Sequence, residues 1–258
     1  MRRVRVATFN ILSGRTPGDD TVDKDRVRRS IAALDADVLA LQEVDRHQPR
    51  SGGLDLTAVA AEAMGAVDHR FVAALTGTPA TWTGAVVDEP EGVPSYGIAL
   101  LSRYPVSRWQ VARLPPAPVR LPYRFDDSRR ISWVRDEPRV AIRADVEAPN
   151  GPLCVVTTHL SFLPMSSSRQ LRMLAHSLGT GTTPLVLTGD LNMSPGRAER
   201  ITGLRSLATG LTFPAHRPAV QLDHLLGDAT ITPLHGGAVA SEISDHRALV
   251  VELPGPVG

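Results

Sequence analysis

The sequence predicts an α/β (α+β) protein organised around β-sheet, and three observations carry that prediction. Short apolar runs recur from end to end of the chain, at 4–9, 37–41, 97–101, 153–158, 185–188 and 248–253. Helical spacing of apolar residues is found in few places, chiefly 22–34, 54–64 and 166–178. Several of the apolar runs end at once in an acid, an amide or an imidazole. Short strands interleaved with a few helices imply a layered sheet protein.

In order, Val4, Val6 and Phe9, with Thr8 among them, read as a buried first strand. A polar stretch at 19–25 leads into the helical pattern of 22–34. Residues 37–41 form an apolar strand that ends at Gln42 and Glu43. Turn formers at 49–53 precede the helix of 54–64, which Gly65 stops. Residues 97–101 are a strand, broken at Tyr104 and Pro105. Residues 76–95 and 113–138 are rich in Pro, Gly, Ser and charge and are expected to be long surface loops, a kind of segment that is often functional. Residues 139–146 alternate as a half-buried strand does, and Asn150-Gly151 suggests a hairpin into the strand at 153–158. A helix at 166–178 and strands at 185–188, 222–226 and 248–253 complete the chain. Thr8-Phe9-Asn10 and Asp190-Leu191-Asn192 form a faint internal echo, since each follows an apolar strand and ends in Asn.

With 258 residues, the chain is within single-domain range, and one domain over 1–258 is expected. Hydrophobic residues make up 42%, enough for a core and too many for a disordered chain. The formal net charge of +1 announces neither a nucleic-acid nor a membrane partner. Of 28 basic residues only Lys24 is a lysine, which reads as codon bias and lowers the weight of any single Arg. Cys154 is the only cysteine, so a disulfide scaffold is excluded, and its apolar neighbours predict a buried structural thiol. The segment MRRVRVATFN has no apolar signal region, and no apolar run reaches membrane-span length. A cytoplasmic monomer is the expectation.

The residues that could carry chemistry stand at strand ends, where rigid scaffolds present functional groups. They are Asn10, Glu43, His159, Asp190, Asn192, Asp223, Asp245 and His246. A fold that gathered them on one rim would build a site rich in carboxylate oxygen. Such a site suits a hard cation, Mg²⁺ first and Mn²⁺ as its substitute, and Glu43, Asp190 and Asp245 would suffice. Zinc fits less well, because the chain has neither HExxH nor a cysteine cluster. The phosphate-cradling GxxxxGK[ST] loop is missing too. Duller readings exist for each residue. Asp190 and Asn192 could make an Asx turn before Pro195, Asp245 and His246 could pair within a turn, and Glu43 could be a solvated loop acid. His224 reads as structural, and His47, His69, His176, His216 and His235 as surface or loop residues.

Seven segments together resemble the ordered motifs of the endonuclease/exonuclease/phosphatase family. They are ATFNIL at 7–12, LALQEVD at 39–45, ALLSRYPV at 99–106, VVTTHLS at 155–161, TGDLNMSP at 188–195, LDHLL at 222–226 and SDHRALV at 244–250. The resemblance spans 7–250, and QE, GDLN and SDH in this order are specific as a set. It implies a four-layer sandwich, DNase I-like, of two packed mixed β-sheets flanked by helices, with the site at one rim. It further implies that Glu43 is a metal-binding glutamate and that Asn10 lies near metal and phosphate. By the same resemblance Asp190 and Asn192 handle nucleophile and phosphate, and Asp245 is a metal ligand or its neighbour. His246 meets the phosphoryl oxygens or the attacking water, Asp223 orients it, and His159 matches the histidine of the DNase and sphingomyelinase branches. One departure stands at Leu12, where abasic-site endonucleases usually carry an aspartate, and it argues against abasic-site repair.

The expected reaction is divalent-metal-dependent hydrolysis of a phosphate mono- or diester by in-line water attack. Either Asp190 or His246 is the base, and His159 donates a hydrogen bond or proton. A nuclease and a sphingomyelinase-like lipid phosphodiesterase are the alternatives within this class, with nucleic acid or phospholipid as partner. The lipid reading needs an exposed apolar or aromatic lip, and no amphipathic insertion helix is visible. A non-catalytic phosphate-binding module is the alternative of another class. Ten arginines within 103–143 against four acids could form an anionic-substrate patch or a solvated surface. Trp82, Trp109, Trp133, Tyr96 and Tyr123 could line a substrate rim, though packing is the expected role for most of them.

Overall fold

A computed structural model describes residues 3–19, 21–124, 130–149, 151–178 and 182–254. In chain order its elements are β1 (Val4–Asn10), α1 (Lys24–Ala33), β2 (Val38–Arg46), α2 (Leu56–Met64), β3 (Asp68–Thr76), β4 (Thr83–Gly84), β5 (Ser95–Ser102) and β6 (Val106–Leu114). There follow β7 (Leu121–Tyr123), β8 (Ser132–Val134), β9 (Arg139–Ala148), β10 (Gly151–His159), α3 (Pro164–Ser177), β11 (Leu185–Asp190) and α4 (Pro195–Thr202). The last are β12 (Arg205–Ser206), β13 (Asp223–Gly227), β14 (His235–Val239) and β15 (Ala248–Leu253).

The strands form two large mixed sheets, ordered β14-β15-β1-β2-β5-β3-β4 and β12-β13-β11-β10-β9-β6, and a small ribbon of β7 and β8. Each large sheet contains one parallel pair, β1 with β2 and β10 with β11. The near-continuous apolar strands are explained by burial on both faces. Val6, Val38, Ala40 and Leu100 from one sheet meet Ile142, Ala144, Val155, Val186 and Leu225 from the other. On the outer face of the first sheet, Phe9, Leu39 and Leu41 pack with Val27 and Ile31 of α1 and Leu56 and Val59 of α2. On the outer face of the second, Val156, Leu187 and Leu226 pack with Leu171 and Leu174 of α3 and Ala198 of α4. The result is the expected four-layer sandwich.

Local chemistry sets the helix ends. The Asp23 carboxylate accepts from the Asp25 and Arg26 N–H groups and starts α1, and Asp55 does the same for α2 through Thr57 and Ala58. The Asp55 cap is worth about 1 kcal/mol. Gly65 closes α2 in the left-handed conformation, as its position predicts.

Several elements depart from the sequence reading. Strands β3, β6, β12 and β14 and helix α4 were not expected. The segments expected as loops contain β4 in 76–95 and the β7–β8 ribbon in 113–138, and the end of β6 reaches into the latter. The hairpin between β9 and β10 is present, with Ala148 opposite Gly151, while Asn150 lies outside the described residues. No helix among the described residues is long and apolar enough to cross a membrane.

Gly189 shows how tightly β10 and β11 are joined. Its φ is +131°, and a Cβ built there would lie 1.9 Å from the Thr158 carbonyl oxygen. Gly189→Ala is therefore expected to force these strands apart and to lower unfolding free energy by more than about 3 kcal/mol, read from urea denaturation. Cys154 is buried in the layer beneath α3, and burial pushes its thiol up to about 12. The thiolate is the reactive form, so a disulfide reagent at pH 8 is expected to modify Cys154 only after denaturant is added.

Candidate active site

The parallel pairs place the site. In β1 and β2 Asn10 lies beside Gln42, and in β10 and β11 His159 lies beside Asp190. Strand β13 runs antiparallel to β11 and begins with Asp223 opposite Asp190. Strand β15 runs antiparallel to β1, so the turn of Ser244, Asp245 and His246 before it reaches the end of β1. The Ser244 hydroxyl fastens that turn by donating to the Asn10 carbonyl at 2.6 Å while accepting from the His246 N–H at 3.0 Å.

Glu43 follows Gln42 at a bulge in β2, where the register with β5 shifts between Leu41 and Val44, and its φ is +55°. A bulge of this kind re-aims a side chain beside a functional site. Asn192 (φ +51°) and Ser244 (φ +73°) share this uncommon backbone region, so several strained residues stand around one rim.

An unbroken series of contacts links the side chains. The Asn10 Nδ2 donates to Glu43 Oε1 and to Asp190 Oδ2, both at 3.1 Å. Asp190 Oδ2 lies 3.8 Å from His246 Nε2 and 3.7 Å from His159 Nε2. His246 Nδ1 is bonded to Asp223 Oδ2 at 2.8 Å. Asp190 Oδ1 accepts the Asn192 N–H at 3.0 Å, and Asn192 Nδ2 donates to the Leu160 carbonyl at 3.0 Å. Asp245 carries no ion pair among the described residues, yet its charge is felt at both Glu43 and His246. The structure thus gathers all eight residues singled out in the sequence. Asn10 enters as a bridge between two carboxylates, because its Oδ1 is engaged by the Leu12 N–H at 3.2 Å.

Electrostatics follow from this crowding. Burial, helped by the charge of Asp245 and opposed by the Asn10 hydrogen bond, raises the Glu43 carboxyl above its usual range. Burial and the Asp223 charge lift Asp190 to about 7. Burial alone would pull the His246 imidazole down, but the Asp223 charge and hydrogen bond, with Asp190 and Asp245, outweigh it and hold it at about 10. His159 behaves oppositely, because burial, the Arg139 guanidinium and His246 all hold it well below its usual range.

The donor set fits a hard divalent cation. Glu43 and Asp245 repel one another across the rim, and neither has a cationic side chain in ion-pair contact among the described residues. Ligand atoms of Asp190, Asp223 and His246 also lie within 4.8 Å of one another. In that trio the 2.8 Å bond engages His246 Nδ1 and Asp223 Oδ2, while Asp223 Oδ1 is buried without a hydrogen-bond partner among the described residues.

Sequence reasoning missed several participants. Gln42 ties the sheets together, accepting from Thr8 at 3.2 Å and reaching Thr157 at 3.4 Å. Arg139, buried at the start of β9, lies 3.4 Å from His159 Nδ1. Tyr96, which the sequence offered with Trp82 for a substrate rim, is stacked on Trp82 at 5.1 Å with Arg50 over both rings, and burial, with the Glu43 charge, raises its phenol. His224 is structural, bonded through Nε2 to the Met193 carbonyl at 2.9 Å. Part of the arginine excess is spent elsewhere, with Arg103, Arg113 and Arg143 in ion pairs to Asp35, Asp88 and Asp145. Asp126 and Asp127 lie outside the described residues.

The profile of the Endonuclease/Exonuclease/phosphatase family matches residues 7–246. The chain belongs to that family. Its members are phosphoesterases, and this endonuclease/exonuclease/phosphatase protein is an enzyme of that kind. No curated protein matches the chain by sequence. Among solved structures, a family member from Beutenbergia cavernae is similar with 24% identity and a TM-score of 0.72, over 99% of this chain and 72% of that one. A mannosyl-6-phosphatase from Bacteroides thetaiotaomicron is similar with 17% identity and a TM-score of 0.66, over 97% and 99%. Sphingomyelinase C from Streptomyces griseocarneus is similar with 16% identity and a TM-score of 0.63, over 98% and 100%.

The His246–Asp223 pair gives a pH test. Asp223→Asn removes the charge that holds the imidazolium and part of what lifts Asp190. Both groups then lose their protons at lower pH. In bis-p-nitrophenyl phosphate hydrolysis the alkaline limb of kcat/KM is expected to move down by about one unit or more, and the acid limb to move down with it.

Proposed function

We propose that the protein hydrolyses a phosphate mono- or diester by in-line attack of water, with Mg²⁺, or Mn²⁺ in its place, held by Glu43 and Asp245 beside Asn10 and Asp190. The observation that carries this reading is the contact series from Glu43 through Asn10, Asp190 and His246 to Asp223. When bound, the cation would supply charge stabilisation at the phosphoryl oxygens and help to ionise water.

The remaining work falls to the chain. Asp190, lifted to about 7, is matched to taking a proton from the attacking water near neutral pH. His246, kept cationic by Asp223, donates from Nε2 to the phosphoryl oxygens, where negative charge grows. Asn10 holds Glu43 and Asp190 apart, and the Asn192 N–H fixes the carboxylate plane of Asp190. His159 Nε2, 3.7 Å from the same Asp190 oxygen, would donate to that phosphate as well.

For the substrate, the net charge of +1 favours a small phosphorylated molecule over a nucleic-acid duplex. A second reading, a sphingomyelinase-like lipid phosphodiesterase, is favoured by one observation. On and beside the β7–β8 ribbon, Val119, Ile131 and Trp133 are 63%, 67% and 65% exposed. They supply the apolar and aromatic lip that the sequence did not make visible.

A panel of plasmid DNA, abasic oligonucleotide, sphingomyelin vesicles, inositol phosphates and bis-p-nitrophenyl phosphate separates these substrates. Activity is expected with Mg²⁺ or Mn²⁺ and none after chelation. Asp190→Ala and His246→Ala should each lower kcat by about 10²-fold or more, and Glu43→Gln should raise the cation concentration needed for half-maximal rate. Full activity in excess chelator, or in Asp190→Ala, would end the proposal.

A further inference from the structure

The two histidines of the site are held by partners of opposite character. His246 Nδ1 faces the Asp223 carboxylate, whereas His159 Nδ1 faces the Arg139 guanidinium, with Nη1 at 3.4 Å. A guanidinium carries five N–H donors and no acceptor, and it does not deprotonate in proteins. The ring nitrogen opposite it must therefore accept. That leaves the proton of a neutral imidazole on Nε2, the nitrogen that points at Asp190 Oδ2 from 3.7 Å. Asn192 Nδ2 is also 3.4 Å from Nε2 and gives one of its two N–H groups to the Leu160 carbonyl at 3.0 Å. The cationic guanidinium at the same distance from Nδ1 outweighs this neutral amide, and the Asp190 carboxylate favours a proton on Nε2.

Arg139 is placed for this task and for little else. It is 6% exposed at the first position of β9, and Val140 and Ala141 beyond it belong to the packed layers. Its only other side-chain partner among the described residues is Glu137, at 3.4 Å, and its buried Nε has none. A buried arginine so sparsely paired is costly to keep for stability alone. The charged groups around His159 are Arg139, Asp190 and His246, and a proton on Nε2 is the arrangement that serves the guanidinium and the carboxylate together.

We propose that Arg139 is a positioning residue that fixes His159 in the Nε2–H tautomer, so that His159 donates a hydrogen bond to the substrate phosphate and does not take the proton from water. The second half rests on the hydrolytic reading above, and the first half does not. The division of labour between the histidines then follows from their partners. The one backed by a carboxylate supplies a cationic donor, and the one backed by a guanidinium supplies a neutral donor.

The test is long-range ¹H–¹⁵N correlation of the imidazole rings in the full chain, with and without Mg²⁺, His159 being assigned by comparison with His159→Gln. The expected result is a pyrrole-like Nε2 and a pyridine-like Nδ1 in His159. Arg139→Met should convert that pattern to a tautomer mixture and lower kcat on bis-p-nitrophenyl phosphate roughly 10- to 100-fold with little change in KM, the cost typical of losing a partner behind a site histidine. Arg139→Lys, which restores one cationic donor, should recover the Nε2–H pattern and part of kcat. A proton on Nδ1 in the unaltered protein overturns the proposal even if no variant folds. A pattern unchanged in Arg139→Met overturns it as well. Because the spectra need no turnover, absence of hydrolysis would strike the functional reading and leave the tautomer assignment standing.

Discussion

The site depends on one constraint of sheet geometry, that two parallel neighbours end on the same side. Each large sheet has a single parallel pair, and each pair delivers two strand ends to the rim. Asn10 and the Gln42–Glu43 corner come from one, His159 and Asp190 from the other. The flanking antiparallel strands, β15 beside β1 and β13 beside β11, start where their neighbours end and so bring His246 and Asp223 to the same place. The order of pairings is the same in both sheets: antiparallel outward from β1 and β11, parallel to β2 and β10, then antiparallel to β5 and β9. The echo between Thr8-Phe9-Asn10 and Asp190-Leu191-Asn192 thus falls at corresponding strand ends, and Asn10 and Asp190 touch across the interface.

A rim assembled in this way concentrates negative charge where water is scarce. Glu43, Asp190, Asp223 and Asp245 stand together, and burial resists the ionisation of Glu43 and Asp190. The chain meets that cost unequally. Asp223 is matched by a histidine at 2.8 Å, and Asp190 is served by Asn10 and by a backbone N–H. Glu43 receives one amide hydrogen bond and faces Asp245. This residual imbalance sits on one side of the rim, and it supports the proposal of a cation between Glu43 and Asp245 rather than at the His246–Asp223 pair.

Much of this was legible in the sequence, and the reason is double-sided burial. A strand covered on both faces must be apolar throughout, so a polar residue at its end stands out. Asn10, Glu43, His159 and Asp190 were visible for that reason. Strand β6 was not, because it is the edge of its sheet and shows Ser107, Arg108 and Gln110 to solvent. Strand β14 hid behind Gly236 and Gly237, and α4, with eight residues, is too short for periodicity to declare. Arg139 was hidden differently. In a chain whose basic residues are nearly all arginine, composition cannot separate the guanidinium that backs a histidine from those that pair on the surface. Only the register of β9 against β10, which brings its head to the end of the neighbouring strand, does so.

The modest readings of these residues and the chemical ones are not rivals. The Asx turn expected of Asp190 and Asn192 is present, since Asp190 Oδ1 accepts the Asn192 N–H. Spending Oδ1 on the turn is what aims Oδ2 at Asn10 and the two histidines. Ser244 likewise makes an ordinary turn contact with the His246 N–H, and by donating to the Asn10 carbonyl it binds that turn to the opposite strand end. Positive φ at Glu43, Asn192 and Ser244 has a conformational cost that local contacts alone would not sustain. The apolar layers beneath make these conformations affordable by fixing both sheets. A turn built to structural rules becomes a wall of the candidate site once its second oxygen has nowhere to go but the rim.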